Sequence, residues 1–199
     1  MKPENPQNWQ ARELGVVITL QRGKDLPVQL REPGSYPVIG SNGIVGCHSQ
    51  CAAEGPGVLV GRSGSVGKVT WVEDDYWPLN TTLWVTDFHG NHPKFVAYFL
   101  EYLDLGRYTA GVSVPTLNRN TLHPIKVTIP PLTEQRAIAG NLRTVQEAKE
   151  ARQRELVLER ERKAALMDFL FTHGTHAGET KETEIGPIPE GVPSLVEGW

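Results

Sequence analysis

The sequence has little cysteine, no long hydrophobic run and no surplus of positive charge, and each shortage closes off a class of protein. Its 199 residues hold two cysteines, Cys47 and Cys51, too few for a disulfide framework. Cys47, His48 and Cys51 suggest a metal at first sight, but a structural zinc takes four ligands and no second pair at ligand spacing follows, so no metal is expected. The apolar run Val16 to Leu20 is flanked by Arg12, Glu13 and Arg22 and is far shorter than a signal core or a membrane span. A cytoplasmic protein without membrane contact is the expectation.

Lysine and arginine number 20 against 23 aspartates and glutamates, a net charge of -3. Nucleic acid is bound largely through neutralised phosphates, so this balance first counts against it. The distribution softens the objection, because residues 173–199 carry one basic and five acidic side chains while the rest is near neutral. A nucleic-acid face would have to come from local clustering.

Catalytic signatures are also missing. There is no serine elbow, no HExxH and no glycine-rich methyl-donor loop after a strand. His48, His89, His92 and His123 have no evident partners, and an isolated histidine is more often a surface or satisfied core residue than a catalyst. Glu73-Asp74-Asp75 sits beside glycine-rich turns and reads as a solvated loop. No catalytic residue and no cofactor are expected. The segment Gly55 to Val69 imitates a phosphate loop but fails on spacing, since Lys68 is followed by valine and too many residues separate Gly61 from Gly67.

What is present divides the chain in three. Residues 1–130 alternate short β-type runs with Gly, Pro, Asn and Asp: Val16 to Leu20, Val58 to Val60, Val66 to Val72, Thr81 to Val85 and Ile125 to Ile129. One helix interrupts them after His92-Pro93, with Phe95, Tyr98, Phe99, Tyr102, Leu103 and Leu105 at helical spacing. The fold class is therefore α+β, a single globular domain. Residues 131–172 contain one glycine and, after Pro131, no proline, and are dense in helix formers. They predict one long helix, capped by Thr133, favoured at its start by Glu134, ended by His173-Gly174 and roughly 55–60 Å long. The acidic tail 173–199 offers little apolar surface to bury and is expected to lack a fold of its own.

A helix of that length needs a buried face. The face stepping by fours and threes runs Ile138, Leu142, Val145, Lys149, Arg152, Leu156, Glu159, Lys163, Leu166 and Leu170. Parallel self-pairing would set Lys149 against Lys149 and Glu159 against Glu159. An antiparallel pair centred on Arg154 instead matches Ile138 with Leu170, Leu142 with Leu166 and Lys149 with Glu159. The pattern predicts an antiparallel coiled coil with a second copy or an equivalent helix.

Three polar turns are candidates for phosphate or base-edge contacts, a plain hairpin being the alternative reading of the first and the third. One is Arg62-Ser63-Gly64-Ser65 with Lys68, where small residues would let backbone N–H groups approach an anion. The second is Ser113 to Arg119, bringing Ser113, Thr116, Asn118 and Arg119 onto a loop pinned by Pro115. The third is the turn at Ser41-Asn42-Gly43. Arg62, Lys68 and Arg119 are suited to phosphate or guanine, and Asn42, Ser65 and Thr116 to lesser contacts.

Taken in order, Tyr36 to Gly43, Gly61 to Val69 (GRSGSVGKV), Trp77 to Val85 (WPLNTTLWV), Val114 to Arg119 (VPTLNR) and Pro131 to Ala139 (PLTEQRAIA) resemble the specificity subunit of type I restriction-modification systems. The resemblance implies a target recognition domain followed by a conserved helix, an arrangement usually present twice per chain with the two helices antiparallel. It also implies double-stranded DNA with a bipartite target, a modification subunit that methylates adenine and a restriction subunit that translocates and cleaves. This chain departs from the family by having one domain and one helix. Its close, Glu184 to Gly191 (EIGPIPEG), looks like the opening of a second repeat and matches the entry Pro6 to Trp9 with Leu14-Gly15. The expectation is a half subunit that pairs with a second copy of itself or with another half subunit. The alternative is a truncated interaction protein that docks on the modification subunit without reading DNA.

Overall fold

The computed structural model describes residues 8–109, 115–175, 180–183 and 186–189. It falls into two units, Met1–Leu142 and Arg143–Trp199, so the first turns of the long helix belong to the globular unit.

In the first unit the elements run β1 (Gln10–Glu13), α1 (Leu14–Val17), β2 (Thr19–Arg22), β3 (Tyr36–Gly40), β4 (Gly43–His48), β5 (Gly57–Gly61), β6 (Val69–Val72), β7 (Trp77–Pro78), β8 (Thr82–Asp87), α2 (Pro93–Leu103), α3 (Arg119–Leu122) and β9 (Lys126–Ile129). The helix α4 (Leu132–His173) then crosses into the second unit, where β10 (Thr180–Thr183) pairs antiparallel with β11 (Gly186–Pro189). The central sheet has the order β2-β8-β5-β6 and is antiparallel throughout. A second sheet, β4-β3-β7, pairs β3 antiparallel with β4 and parallel with β7, while β1 pairs with β9. The α+β class expected from the sequence is the class observed.

The main core lies under α2. Leu20, Val58, Val60, Leu83 and Val85 from the central sheet meet Phe95, Val96, Ala97 and Leu100 from α2, closed by Leu14, Val17, Ile18, Leu117 and Leu122. Each fully buried leucine among them contributes about 1.5–3 kcal/mol. The α2 ends are chemically marked: the His92 ring accepts from Phe95 N, Pro93 occupies the first turn, and Asp104 adopts a left-handed conformation at the close. The helix buries Phe95, Val96, Ala97 and Leu100, whereas Tyr102 from the expected apolar face is exposed and Leu105 falls in the following 3-10 turn.

Three local expectations need correction. Val16 to Leu20 is not one strand. Leu14, Val17 and Ile18 are buried at helical spacing, Leu14 N and Gly15 N donate to the carbonyls of Ile125 and His123, and Val16 faces out. A side-chain carbon on Gly15 would lie 2.8 Å from His123 Cβ, so the turn packs closely against that residue. The strand expected from Val66 begins at Val69, because Gly67 sits at φ +82° against the backbone of Gly106. Thr133 does not cap the long helix. The helix begins at Leu132, and the Pro131 carbonyl accepts from Glu134 N and Gln135 N. The other end agrees with the sequence reading, since Gly174 takes φ +72° and donates to Leu170 O.

Helix α4 is seated on the domain by Gln135, which is only 2% exposed. Its side-chain oxygen accepts from His92 N at 2.9 Å, and its nitrogen donates to Asn91 Oδ1 at 2.7 Å and Pro130 O at 3.0 Å. Ala139 is buried and Ile138 packs at the edge of the core, while Trp9 Nε1 donates to Glu134 at 3.0 Å. No helix among the described residues is long and apolar enough to cross a membrane.

Candidate nucleic-acid interface

The three polar turns are brought together by β-sheet connections. Residues 62–68 link β5 to β6, Ser41-Asn42 closes the β3–β4 hairpin, and residues 115–119 lead into α3. The backbone stitches them to one another: Leu117 N donates to Arg62 O at 2.9 Å, Arg62 N donates to Thr81 O at 2.8 Å, and Ser41 N donates to Thr81 Oγ1 at 3.3 Å. The Lys68 ammonium donates to Asn42 O at 2.7 Å and lies 3.3 Å from its side-chain oxygen, and Ser65 Oγ donates to Asn42 Oδ1 at 3.4 Å.

Arg62 and Arg119 share a groove of about 330 Å³ with Gln21, Arg22, Leu83, Leu117 and Asn118. Its lining sets three guanidinium groups and two amides beside two leucines. Among the described residues neither Arg62 nor Arg119 has a carboxylate partner. Arg22 stands 3.9 Å from Asp25 with both side chains well exposed, a pair that offsets little of its charge. Such a groove favours an anion with a planar or bidentate acceptor, the geometry of a phosphate or a guanine edge.

The structure revises several assignments. The N–H groups of Arg62, Ser63, Val66, Gly67 and Lys68 are spent on carbonyls within the protein, so a backbone cradle could draw only on Gly64 and Ser65, and side chains must carry most anion contacts here. Arg119 is the first residue of α3 rather than a loop residue. Asn118 caps that helix by accepting from Asn120 N, which leaves its amide nitrogen free to donate outward. Thr116 is half-buried, Gly64 is exposed, and Ser113 lies outside the described residues. Gln21 and Arg22 join the groove although sequence reasoning passed over them. Their signal was weak, a polar pair following the apolar Leu20 at the end of a run.

His123 lies next to this face. Its Nε2 accepts from Leu20 N at 3.1 Å, which requires a neutral ring nitrogen. Burial, and then the nearby Arg119 guanidinium, hold its pKa below the ordinary histidine value. His48 is buried and His123 half-buried, and His48 Nδ1 accepts from Glu32 N, so both histidines serve the fold. No group of three or more metal-ligating side chains occurs among the described residues.

On the helix, Ile138 is already engaged by the domain core. Leu142, Val145, Leu156, Leu166 and Leu170 are exposed. Glu159 pairs with Arg162 on its own helix at 3.8 Å, and Lys149 is exposed without an ion pair among the described residues. Val157, Leu158, Met167, Phe169 and Phe171 are exposed too and lie off the expected seam.

A sheet-rich domain with clustered polar loops, followed by a long helix, is a fold shared with subunits of type I restriction-modification systems. Over 86% of this chain it matches the S subunit from M. genitalium at a TM-score of 0.66 and 20% identity. It matches the HsdS subunit from Thermoanaerobacter tengcongensis over 87% at a TM-score of 0.59, also with 20% identity. Residues 6–160 match the model of the type I restriction modification DNA specificity domain, and the chain belongs to that family. A curated relative, the type I restriction enzyme EcoprrI specificity subunit of Escherichia coli, is 23% identical over 137 residues, or 66% of this chain. The chain spans 34% of that relative's length and just under half, 48% and 47%, of the two solved subunits.

Proposed function

We propose that this chain is a sequence-reading, non-catalytic component of a type I restriction-modification complex. It binds double-stranded DNA through the face that carries Arg22, Arg62, Lys68 and Arg119. A modification subunit then methylates adenine, and a restriction subunit acts, at the site it selects. Two such domains, joined by antiparallel pairing of α4 with an equivalent helix, engage the two halves of a bipartite site, and the helix sets their separation. The assembly works in the cytoplasm.

The observation that carries this reading is the meeting of two sequence-distant turns, at Arg62 and at Asn118-Arg119, with the end of β2 on one groove, where neither Arg62 nor Arg119 has a carboxylate partner among the described residues. A structural role would leave those cations paired or scattered, whereas phosphate and base-edge contacts call for them together. The test is enrichment of duplexes from a randomised pool by the full chain, with and without its modification subunit. A recurring short sequence is expected, and R62A/R119A should enrich none. A wild-type chain that enriches no sequence in either setting would leave only a docking role.

A further inference from the structure

The exposed apolar residues of the β3–β4 hairpin are unexplained by phosphate binding. Strand β4 is the edge of its sheet, and Ile44 is 71% and Val45 45% exposed on it. A lone exposed aliphatic residue is ordinary, but two in succession on an edge strand invite unwanted pairing, and such edges are usually blunted by charge.

We propose that this hairpin enters the major groove and that Ile44, with Val45 beside it, contacts thymine 5-methyl groups. The inference rests on the DNA reading above and adds a hydrophobic specificity element to it. Three observations argue for that occupant. First, the patch is continuous with the cationic face, since Ile44 follows two residues after Asn42, which Lys68 and Ser65 hold. Second, cations lie on both sides of the patch. Lys68 stands at the turn, and Arg31 Nη1 donates to Val45 O at 3.1 Å, whereas Glu32 lies toward the far end of the strand, where it accepts from Ser49 Oγ. Positive charge flanking an apolar tip complements a groove walled by phosphates. Third, the tip is braced, with Ser41 N bonded to Thr81 Oγ1 and a Val45 methyl lying against the Gly40 backbone.

A two-stranded ribbon fits a groove of about 12 Å, and the thymine methyl is the apolar mark that groove displays. An aliphatic side chain matches it, while a protein partner would have no need of the adjoining Lys68 and Arg31 charges.

The test uses a duplex enriched by the full wild-type chain, with each thymine replaced singly by deoxyuridine. Removing one methyl at a contacted position should weaken binding roughly threefold to tenfold, the worth of a buried methyl group. I44A should bind thymine and deoxyuridine duplexes equally, close to the wild type on deoxyuridine, and V45A should show a smaller loss of discrimination. Ile44 is exposed, so I44A is expected to fold, which its unfolding midpoint checks. The proposal is overturned if the enriched site holds no thymine, if no replacement matters, or if I44A discriminates like the wild type. I44A that binds DNA normally but no longer assembles with the modification subunit would assign the patch to a protein and also overturn it. A wild type that enriches no duplex overturns the DNA reading together with this one, whereas each of the other results leaves that reading standing.

Discussion

Arg119 is exposed and has no carboxylate partner among the described residues, which supports the proposal that it reads DNA rather than bracing the fold. R119A should change the unfolding free energy by less than about 0.5 kcal/mol, as surface substitutions do, while lowering affinity for an enriched duplex. Urea unfolding and a binding titration on the same preparation check this, and a variant that unfolds before it loses DNA would instead make Arg119 structural. His123 gives a pH dependence of definite sign. Its pKa is depressed in the fold, so below the ordinary value of 6.5 the unfolded chain binds more protons than the folded one. The stability tied to His123 is fully present above that value and is lost as pH falls toward the folded pKa. Urea midpoints between pH 7 and pH 5 should therefore fall less for H123Q than for the wild type. The cationic residues were legible in the sequence because small polar turns rarely carry Arg and Lys at such density. Gln21 and Arg22 were not, because only the antiparallel pairing of β2 with β8 brings them beside Arg62. The spent N–H groups of Arg62, Ser63, Val66, Gly67 and Lys68 were equally hidden, since hydrogen-bond partners are set by tertiary neighbours.

Among the elements, α4 was the most legible, because a long stretch dense in helix formers and free of proline leaves no other regular structure. Its cap was read two residues late. Thr133 is a good cap by type, but the Pro131 carbonyl takes the first amides and the buried Gln135 fixes the entry by filling three hydrogen bonds. The Gln135 bonds are a chemical reason for the Glu-Gln pair within PLTEQRAIA. Q135A should leave His92 N and Asn91 without their side-chain partner and lower stability by about 1–3 kcal/mol, measured by urea unfolding. A cost near zero would mean that water replaces the glutamine without penalty. The short α1 escaped the sequence reading because a single helical turn running into a strand imitates one apolar run. The β3–β4 hairpin was legible from Ser41-Asn42-Gly43, and the 62–68 turn from its glycines, since both demand backbone shapes that few residues supply.

At the scale of the molecule, Leu142, Val145, Leu156, Leu166 and Leu170 of α4 stand exposed on the face that antiparallel pairing would cover, while Val157, Leu158, Met167, Phe169 and Phe171 are exposed off it. Ile138 shares its surface with the domain core, so the proposed seam is carried mainly by Leu142, Val145, Leu156, Leu166 and Leu170. With Cys47 and Cys51 replaced by serine, cysteines at positions 142 and 166 in separate copies should form a mixed crosslink; crosslinking of position 142 only to itself would mean parallel pairing. Deleting one helical turn from residues 143–165 should shift the preferred spacer of the bipartite site, read by methylation mapping, and an unchanged spacer would remove the helix as ruler. The central claim, that the cationic groove of Arg22, Arg62 and Arg119 reads DNA, is tested most directly by the slope of log affinity against log salt on an enriched duplex. R22A, R62A and R119A should each flatten the wild-type slope by about one, the release of one phosphate contact. Slopes identical to the wild type in all three variants would contradict it.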